Sequence, residues 1–577
     1  MTWLIIAEKD IAARRIAKIL FDKVITKKIK SVNVYFSKDL KACVIGLKGH
    51  IVEFDFPSNL KNWRKTPILE LLKSKLVKKA RHRKIISVLK YLAKKVNHVT
   101  IATDYDREGE LIGLEALEIL KSVNPKLTFD RAKFSAITKE DVLKAFKNRQ
   151  KINYNLASAA LARQKIDLIW GCVLTRLLSL IHNRVSKKDF LSAGRVQSPV
   201  LRIIIEREEE IKNFVPVKYW QIGLIIEKHG EKIKLVSNER FISEEIAKKC
   251  LEKIENTCKV IDAQEKIVEE KKPIPFNTTE FLKEASMFFP PEKAMQIAEY
   301  LYMKGFISYP RTDNTVYPNT LDLKKNVKML LNTEFKKYAL LVLNQEKIIP
   351  SKGKKQTTDH PPIHITAPAS REELSKEEFI IYELIARRFL ATLYKNALWK
   401  INHYKFTAGN LSFEIKGKQL IEKGWREIYY YSKPEQIILP EFQKGEEVKI
   451  VKKYIEEKQT TPPKRYTEGE IIKIMEKLGL GTKSTRHEIL QKLKQRKYIS
   501  SRPLKPKETA YIIFNSLKEI AEEITMPNMT AELEKKMDLI EQGKLSEKEV
   551  VEQSKRKLKE ILLKYFEKQA THSKKDA

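Results

Sequence analysis

Cysteine is scarce in these 577 residues: there are four, Cys43, Cys172, Cys250 and Cys258, and no two of them form a C-x-x-C pair. That rules out a disulfide framework and leaves no zinc ribbon, so an intracellular chain without zinc is expected. Long apolar runs are missing as well. The opening MTWLIIAEKD carries an apolar stretch too short for a secretory signal, and no run of about 18 apolar residues occurs, so no membrane partner is expected and the chain is assigned to the cytoplasm or nucleoid. The phosphate-cradling pattern G-x-x-x-x-G-K-[ST] is absent; GLGTKST lacks its spacing, and no ATP is called for. Acidic residues are outnumbered, 74 against 112 Lys and Arg, for a formal net charge of +38. Such a balance suits a polyanionic partner, or equally a solvated lysine-rich surface of the heat-adapted kind, and charge alone does not choose.

The length suggests about four domains. Residues 3–7 (WLIIA) read as a buried strand, followed by Ile11, Ala12, Ala13, Ile16, Ala17 and Leu20 at helical spacing. The unit recurs near residue 100, where HVTIAT reads as strand, DYDREG as turn, and Leu111, Ile112, Leu114, Leu117 and Leu120 as the inner side of a helix. An α/β domain with a parallel sheet is expected over 1–145. Residues 146–210 are mainly helical. Alternating stretches over 211–274 and 398–455 suit antiparallel strands and flank an insert, 275–397; one β domain built from both pieces is the simplest arrangement. Residues 456–577 return to helix and end in a polar tail, KQATHSKKDA, expected to be disordered. The fold class is therefore multidomain, α/β plus α+β.

Asp104, Asp106 and Glu108 form D-x-D-x-E after the second strand, and Glu8 ends the first. Carboxylates this close repel unless a cation sits among them, and hard oxygen donors in a turn suit Mg²⁺ holding a phosphate; acids gathered at a helix start explain the triplet equally well. In KGFISYPRTDN, Tyr309 precedes Pro310, which favours extended backbone, so Arg311 shares its face. A phenol is a poor nucleophile near neutral pH, and a guanidinium with a nearby lysine would favour the phenolate. A tyrosine before proline is more commonly a packing residue, and the segment by itself leaves both readings open.

LIIAEKD and ATDYDREGE resemble the two Toprim motifs of type IA DNA topoisomerases, with Tyr105 at a usual proline and Asp10 where a proline is also common. Toprim domains occur too in primases, nucleases, recombination-repair proteins and type II topoisomerases, so the tyrosine decides among them. GFISYPRTD resembles the type IA active-site segment. The resemblance implies that Tyr309 attacks one strand and keeps its 5′-phosphate, that Arg311 and Lys9 stabilise the transition state, and that Glu8 moves a proton at the 3′-oxygen or helps hold metal. It implies Mg²⁺, with Mn²⁺ able to substitute, on Asp104 and Asp106, completed by Glu8 or Glu108. SAGRVQSP implies DNA contacts at Ser192, Ala193, Gly194, Arg195, Val196 and Gln197, and ARQKIDLIWG implies others at Arg163, Gln164 and Asp167. His360 in DHPPIHITAP matches a phosphate-positioning histidine, and His50 in LKGHIVEFDFP matches a G-H motif beside the active site. GLGTKSTRHEIL is closer to topoisomerase III and archaeal forms. His364 lies four residues from His360, but Pro361 and Pro362 argue against a helical zinc site.

By the same resemblance the architecture is a Rossmann-like Toprim domain, a β-rich arch, a winged-helix-like domain carrying Tyr309 and a split helical domain, together closing a toroid. The activity implied is ATP-independent relaxation of negatively supercoiled DNA, decatenation, or both. Single-stranded and negatively supercoiled DNA are the expected partners, RNA or a helicase further ones, and a monomer the expected state. The C-terminal region lacks the family's zinc ribbons; SKRKLK, residues 554–559, would supply nonspecific grip or is simply an exposed basic helix face. Competing readings are the topoisomerase subunit of a split reverse gyrase, a Toprim nuclease, and a single-strand nucleic-acid-binding protein.

Overall fold

The computed structural model describes residues 2–186, 189–357, 359–431 and 434–573. The first apolar run forms β1 (Trp3–Ala7) and the residues at helical spacing form α1 (Asp10–Leu20), with Ala12, Ala13, Ile16 and Ala17 buried. There follow β2 (Ile25–Ile29), β3 (Val32–Ser37), β4 (Ala42–Gly46), β5 (Val52–Asp55), α2 (Ile68–Lys73), β6 (Val77–Ala80), α3 (Arg83–Ala93), β7 (His98–Ala102), α4 (Arg107–Lys121), β8 (Thr128–Arg131) and α5 (Lys139–Lys147).

Six strands make one sheet in the order β2-β3-β4-β1-β7-β8, and β5 pairs β6 separately. Strands β4, β1, β7 and β8 are parallel, but β2 and β3 run antiparallel, so the sheet is mixed where a parallel one was expected. The reason is the length of the connections. Only Lys30 and Ser31, both with positive φ, join β2 to β3, and such a turn returns the chain beside itself with no room for a crossover helix. Along β1, Leu4 and Ile6 enter one core with α3 and α4, while Ile5 and Ala7 enter a second, larger core shared with the helical body. The period of two thus lets one strand join the Toprim-like unit to the rest of the chain.

The helical body contains α6 (Tyr154–Ile181) and α7 (Gln197–Lys212), together with helices at Pro527–Glu541 and Glu547–Ser573. Trp170 donates to Ser554 Oγ at 2.8 Å, joining the two halves across the core. The last helix continues to Ser573, so the polar segment from Lys568 onward is helical where disorder was expected; packing of Leu558, Ile561, Leu562 and Tyr565 carries the helix past the point where polarity alone suggested an end. Residues 574–577 of that tail lie outside the described residues.

Strands β9 (Lys218–Lys228), β10 (Glu231–Val236), β11 (Thr257–Glu270), β12 (Ala397–Ala408), β13 (Leu411–Glu422) and β14 (Glu447–Gln459) form a second, antiparallel sheet in the order β10-β9-β14-β11-β12-β13, with α8 (Glu244–Glu252) against it. Both alternating stretches therefore share one sheet. Glu270, at the end of β11, lies opposite Ala397, at the start of β12, so residues 271–396 leave and re-enter at one place. That insert holds α9 (Thr278–Ala285), α10 (Pro291–Met303) and a helix at Lys376–Leu393, with extended segments tied by the single bridges Phe276↔Ile363 and Ile307↔Ile365. Among the described residues no helix is long and apolar enough to cross a membrane.

Arg131 and Glu110 form an ion pair with no exposed side-chain surface, and the same guanidinium donates to the carbonyls of Ala132 and Asp104. Arg131→Met leaves Glu110 charged, buried and unpaired. Stability is expected to fall by roughly 3–5 kcal/mol, read as a lower thermal midpoint.

Candidate active site

The register of the first sheet sets the site. Ala7 stands level with Gly46 on one side and Ala102 on the other, so Glu8 leaves β1 at the carboxyl edge, and Asp104 follows two residues beyond β7. Ligand sites of open α/β sheets lie at that edge. Two glycines make the packing there possible. A Cβ at Gly46 would come within 2.5 Å of Asp10 Cα, where α1 begins, and one at Gly109 would lie 2.0 Å from the Asp104 carbonyl oxygen. The turn folds tightly onto α4: Thr103 donates to the Gly109 carbonyl at 2.7 Å, and Asp106 Oδ1 caps the helix by accepting from the Gly109 N–H at 2.8 Å. The other Asp106 oxygen is left for a second partner.

That partner is Tyr309. Helix α10 ends at Gly305 with φ of +75°, the left-handed stop that glycine adopts readily, and the chain runs out to place Tyr309 against the first domain. The Tyr309 N–H donates to the Ser135 carbonyl at 2.8 Å, and its hydroxyl donates to Asp106 Oδ2 at 2.7 Å. The ring lies between Tyr302, at 5.0 Å centroid distance, and His360, at 4.7 Å. His360 is fixed by the Ser135 hydroxyl at 2.9 Å and the Tyr105 carbonyl at 2.7 Å, and Tyr302 donates to Asp104 Oδ1 at 3.0 Å. Lys9 and Arg311 meet on one carboxylate, that of Glu299, at 2.9 and 2.5 Å.

Burial, and then the charge of Asp104, pushes the Glu8 carboxyl well above the usual range. Asp104 is raised by burial, opposed by Lys9, raised again by Asp106, and stands at about 6. Tyr309 is pushed well above an ordinary phenol by burial and by Asp106 and Asp104. Arg311 does act in the direction expected from the sequence, toward phenolate, but burial and two nearby carboxylates outweigh it. Burial would raise Glu299, yet Arg311 and Lys9 hold it at about 2.

Among the described residues no three His, Cys, Asp or Glu side chains are already drawn into a metal cage. Asp104 and Asp106 face tyrosine hydroxyls instead. The donor set nonetheless suits a hard divalent cation: Glu8 and Asp104 are both destabilised as anions by burial and by neighbouring carboxylates, which a cation would relieve. Glu108 departs from the extended spacing read from the sequence, because α4 starts at Arg107 and turns Glu108 onto the helix. It pairs with Arg163 and with His50 Nε2, the latter at 2.8 Å, and these bring it to about 2 against the opposing effect of burial.

His50 also bonds Glu115 at 2.9 Å, and Gln164 lies 3.0 Å from its Nε2, so His50, Glu108, Arg163 and Gln164 form one cluster. Asp167 pairs with Arg195 at 2.5 Å, and Arg195 also holds Glu534 at 2.8 Å. Gln197 accepts from Arg496, and the Ser192 N–H donates to the Tyr498 hydroxyl. Ser192, Ala193, Gly194, Arg195, Val196 and Gln197 line a cavity of about 1000 Å³, with Arg163 and Asp167 on its wall and Trp63 among its aromatic residues. Arg163 joins this cavity to the acidic set through Glu108. His364 lies outside the site, bonded to the Pro362 carbonyl and packed near Tyr317 and Phe389.

Sequence reasoning passed over Glu299, Tyr302, Ser135 and Glu115. A signal existed for two of them. Glu115 follows Glu108 by seven residues, two helical turns on one face, and Tyr302 precedes Tyr309 by seven in an adjoining element. Nothing local marks Glu299 or Ser135: Lys9 lies 290 residues from Glu299, whose other partner Arg311 is 12 away, and His360 lies 225 residues from Ser135.

A family model described as DNA topoisomerase matches residues 151–552, and one described as Toprim domain matches 3–137. DNA topoisomerase 1 of Archaeoglobus fulgidus is 55% identical over 97% of this chain and 84% of its own length. DNA topoisomerase 3-beta-1 of Mus musculus is 31% identical over 94% of this chain and 66% of its own. Among solved structures, full-length topoisomerase I from Thermotoga maritima is similar with a TM-score of 0.76 at 27% identity, covering 97% of this chain and 90% of that one.

The two glycine motifs should behave differently on substitution. Gly109→Ala drives a Cβ into the Asp104 carbonyl and is expected to cost roughly 1–3 kcal/mol. At Gly194 the nearest atom to a built Cβ is 3.9 Å away, so Gly194→Ala should stay within about 0.5 kcal/mol of wild type. Thermal denaturation of both variants reads the contrast.

Proposed function

The chain belongs to the type IA DNA topoisomerase family, and from that membership we propose that Tyr309 is the nucleophile that opens one DNA strand, with Asp106, Glu8, Lys9, Arg311 and His360 serving it. The observation that carries the proposal is the 2.7 Å hydrogen bond from the Tyr309 hydroxyl to Asp106, in a buried site where Lys9 and Arg311 converge on a single anion.

As Tyr309 Oη bonds to phosphorus, its proton passes to Asp106 Oδ2 and the phosphorus–O3′ bond breaks. Glu8, whose burial favours the neutral acid, delivers the proton that the leaving 3′-oxygen takes up. Lys9 and Arg311 exchange Glu299 for the non-bridging phosphate oxygens, and His360, held neutral by burial at a value of about 4, packs beside the phenol and orients it. Religation reverses each transfer. One phosphodiester replaces another, so no ATP is consumed. A divalent cation, Mg²⁺ or Mn²⁺, held by Asp104 and Asp106 with Glu8 or Glu108, would supply positive charge toward the phosphate and relieve the repulsion among the carboxylates.

The cavity beside Arg163 and Arg195 suits a single strand reaching this centre, with Gly194 open to close backbone approach. The substrates this supports are single-stranded and negatively supercoiled DNA. RNA would fit the same phosphate-directed contacts.

Relaxation of negatively supercoiled plasmid with Mg²⁺ and without ATP is the test. Tyr309→Phe removes only the attacking oxygen and is expected to lower relaxation by roughly 10⁴-fold or more and to abolish the 5′-linked adduct. Activity surviving in that variant, or cleavage without attached protein, would overturn the assignment. Chelation of divalent ions should stop relaxation by the wild type, and Mg²⁺ should restore it.

A further inference from the structure

On the far side of β1 from Asp104, the carboxyl end of β4 opens into a cleft of about 650 Å³ that none of these roles uses. Its floor is Gly46, Leu47, Lys48 and Asp10, and its walls are the turn after β2 and the start of α3. Lys48, Arg81, Arg83 and Lys84 line it and are exposed. Among the described residues none of these four has a carboxylate within salt-bridge distance, whereas Lys78 and Lys79 just before them are paired with Glu118 and Asp55. The acid that lines the cleft, Asp10, is already engaged by Asn33 at 3.1 Å and Tyr35 at 3.0 Å. His82 is held below its usual value by burial and then by the charges of Arg81 and Lys48, which outweigh that of Glu53. Concentrated, unpaired cations in a concave surface favour a polyanion.

The cleft is continuous with the catalytic edge. Lys9 and Lys48 form a backbone bridge, and the Gly49 N–H donates to the Glu8 carbonyl at 3.2 Å. The large cavity reaches the acidic set by another route, through Arg163 and Glu108 on the β7 side. A strand passing from that cavity across the nucleophile would come to Lys9, which is joined by its backbone bridge to Lys48 at the cleft.

We propose that this cleft binds the phosphodiester backbone of the cleaved strand on the side of the scissile phosphate away from the large cavity, with Lys48, Arg81, Arg83 and Lys84 as sequence-independent phosphate contacts. The inference rests on the reading of Tyr309 as the strand-cutting residue. Its consequence is that one flank of the break is held by the Toprim domain itself while the strand is open.

The test uses the full chain carrying Arg81→Gln, Arg83→Gln and Lys84→Gln together, all exposed positions outside the chemistry. Single-stranded oligonucleotides with one cleavage site are extended by several nucleotides on the 5′ side only, the 3′ side only, or neither. The expected result is that the unextended oligonucleotide is bound and cleaved as by wild type. For one polarity of extension alone, affinity should fall on the order of tenfold, and the salt dependence should lose about 2 from its logarithmic slope. Replacement of the same three residues so that all are lysine should restore both. Equal losses for both polarities, a loss on the unextended oligonucleotide, or no loss at all would each overturn the proposal. If even wild type forms no 5′-linked adduct, it is the assignment of Tyr309 that fails, before the cleft is tested.

Discussion

Carboxylates gathered at one edge of a buried sheet repel each other, and the surrounding structure is organised around that repulsion. Glu8 and Asp104 are pushed toward their neutral forms, and Asp104 and Asp106 accept hydroxyl protons from Tyr302 and Tyr309, which come from a segment inserted some 200 residues later. Lys9 and Arg311, one from each side of the same boundary, share Glu299. The contacts that dock the tyrosine-bearing insert on the Toprim domain are thus made by the groups that a phosphate and a cation would engage. On the proposed assignment, a phosphate and a cation would compete with the contacts that hold the insert against the first domain.

The second sheet carries the insert that brings Tyr309 to the first domain. The insert leaves from β11 and returns through β12, neighbouring strands of one sheet, and the Glu270 carboxylate at that junction is held by Arg426 and by the Trp399 indole. The insert is joined to that sheet at one place, and its contacts with the first domain combine the polar set at the acidic edge with a shared apolar core.

The boundary is not wholly polar. Ile5 and Ala7 of β1 belong to the same apolar core as Tyr302, Ile307 and Tyr309 of the insert. Packing therefore sets the register in which the polar contacts meet. Arg131 has a double role within the first domain, pairing with Glu110 and fixing the carbonyl of Asp104, the first acid of the turn.

Local pattern determined a good deal. The strand and helix of residues 3–20, the strand, turn and helix of 98–121 and the alternating stretches of the second sheet were all legible, because burial of one face imposes a period of 2 or 3.6 on any chain that forms such elements. Glu8, Asp104, Asp106 and Tyr309 stood out because chemistry-bearing side chains sat where those elements end. Other features belonged to the tertiary structure alone. The helical continuation to Ser573, the turning of Glu108 toward Arg163 and His50, the raised rather than lowered Tyr309 phenol, and Lys9 as the second cation on Glu299 all depend on partners distant in sequence. A carboxylate in a helix reads the same in sequence whether solvent or two buried cations surround it; its energy, and so its role, is set by the charges and the burial that folding brings to it.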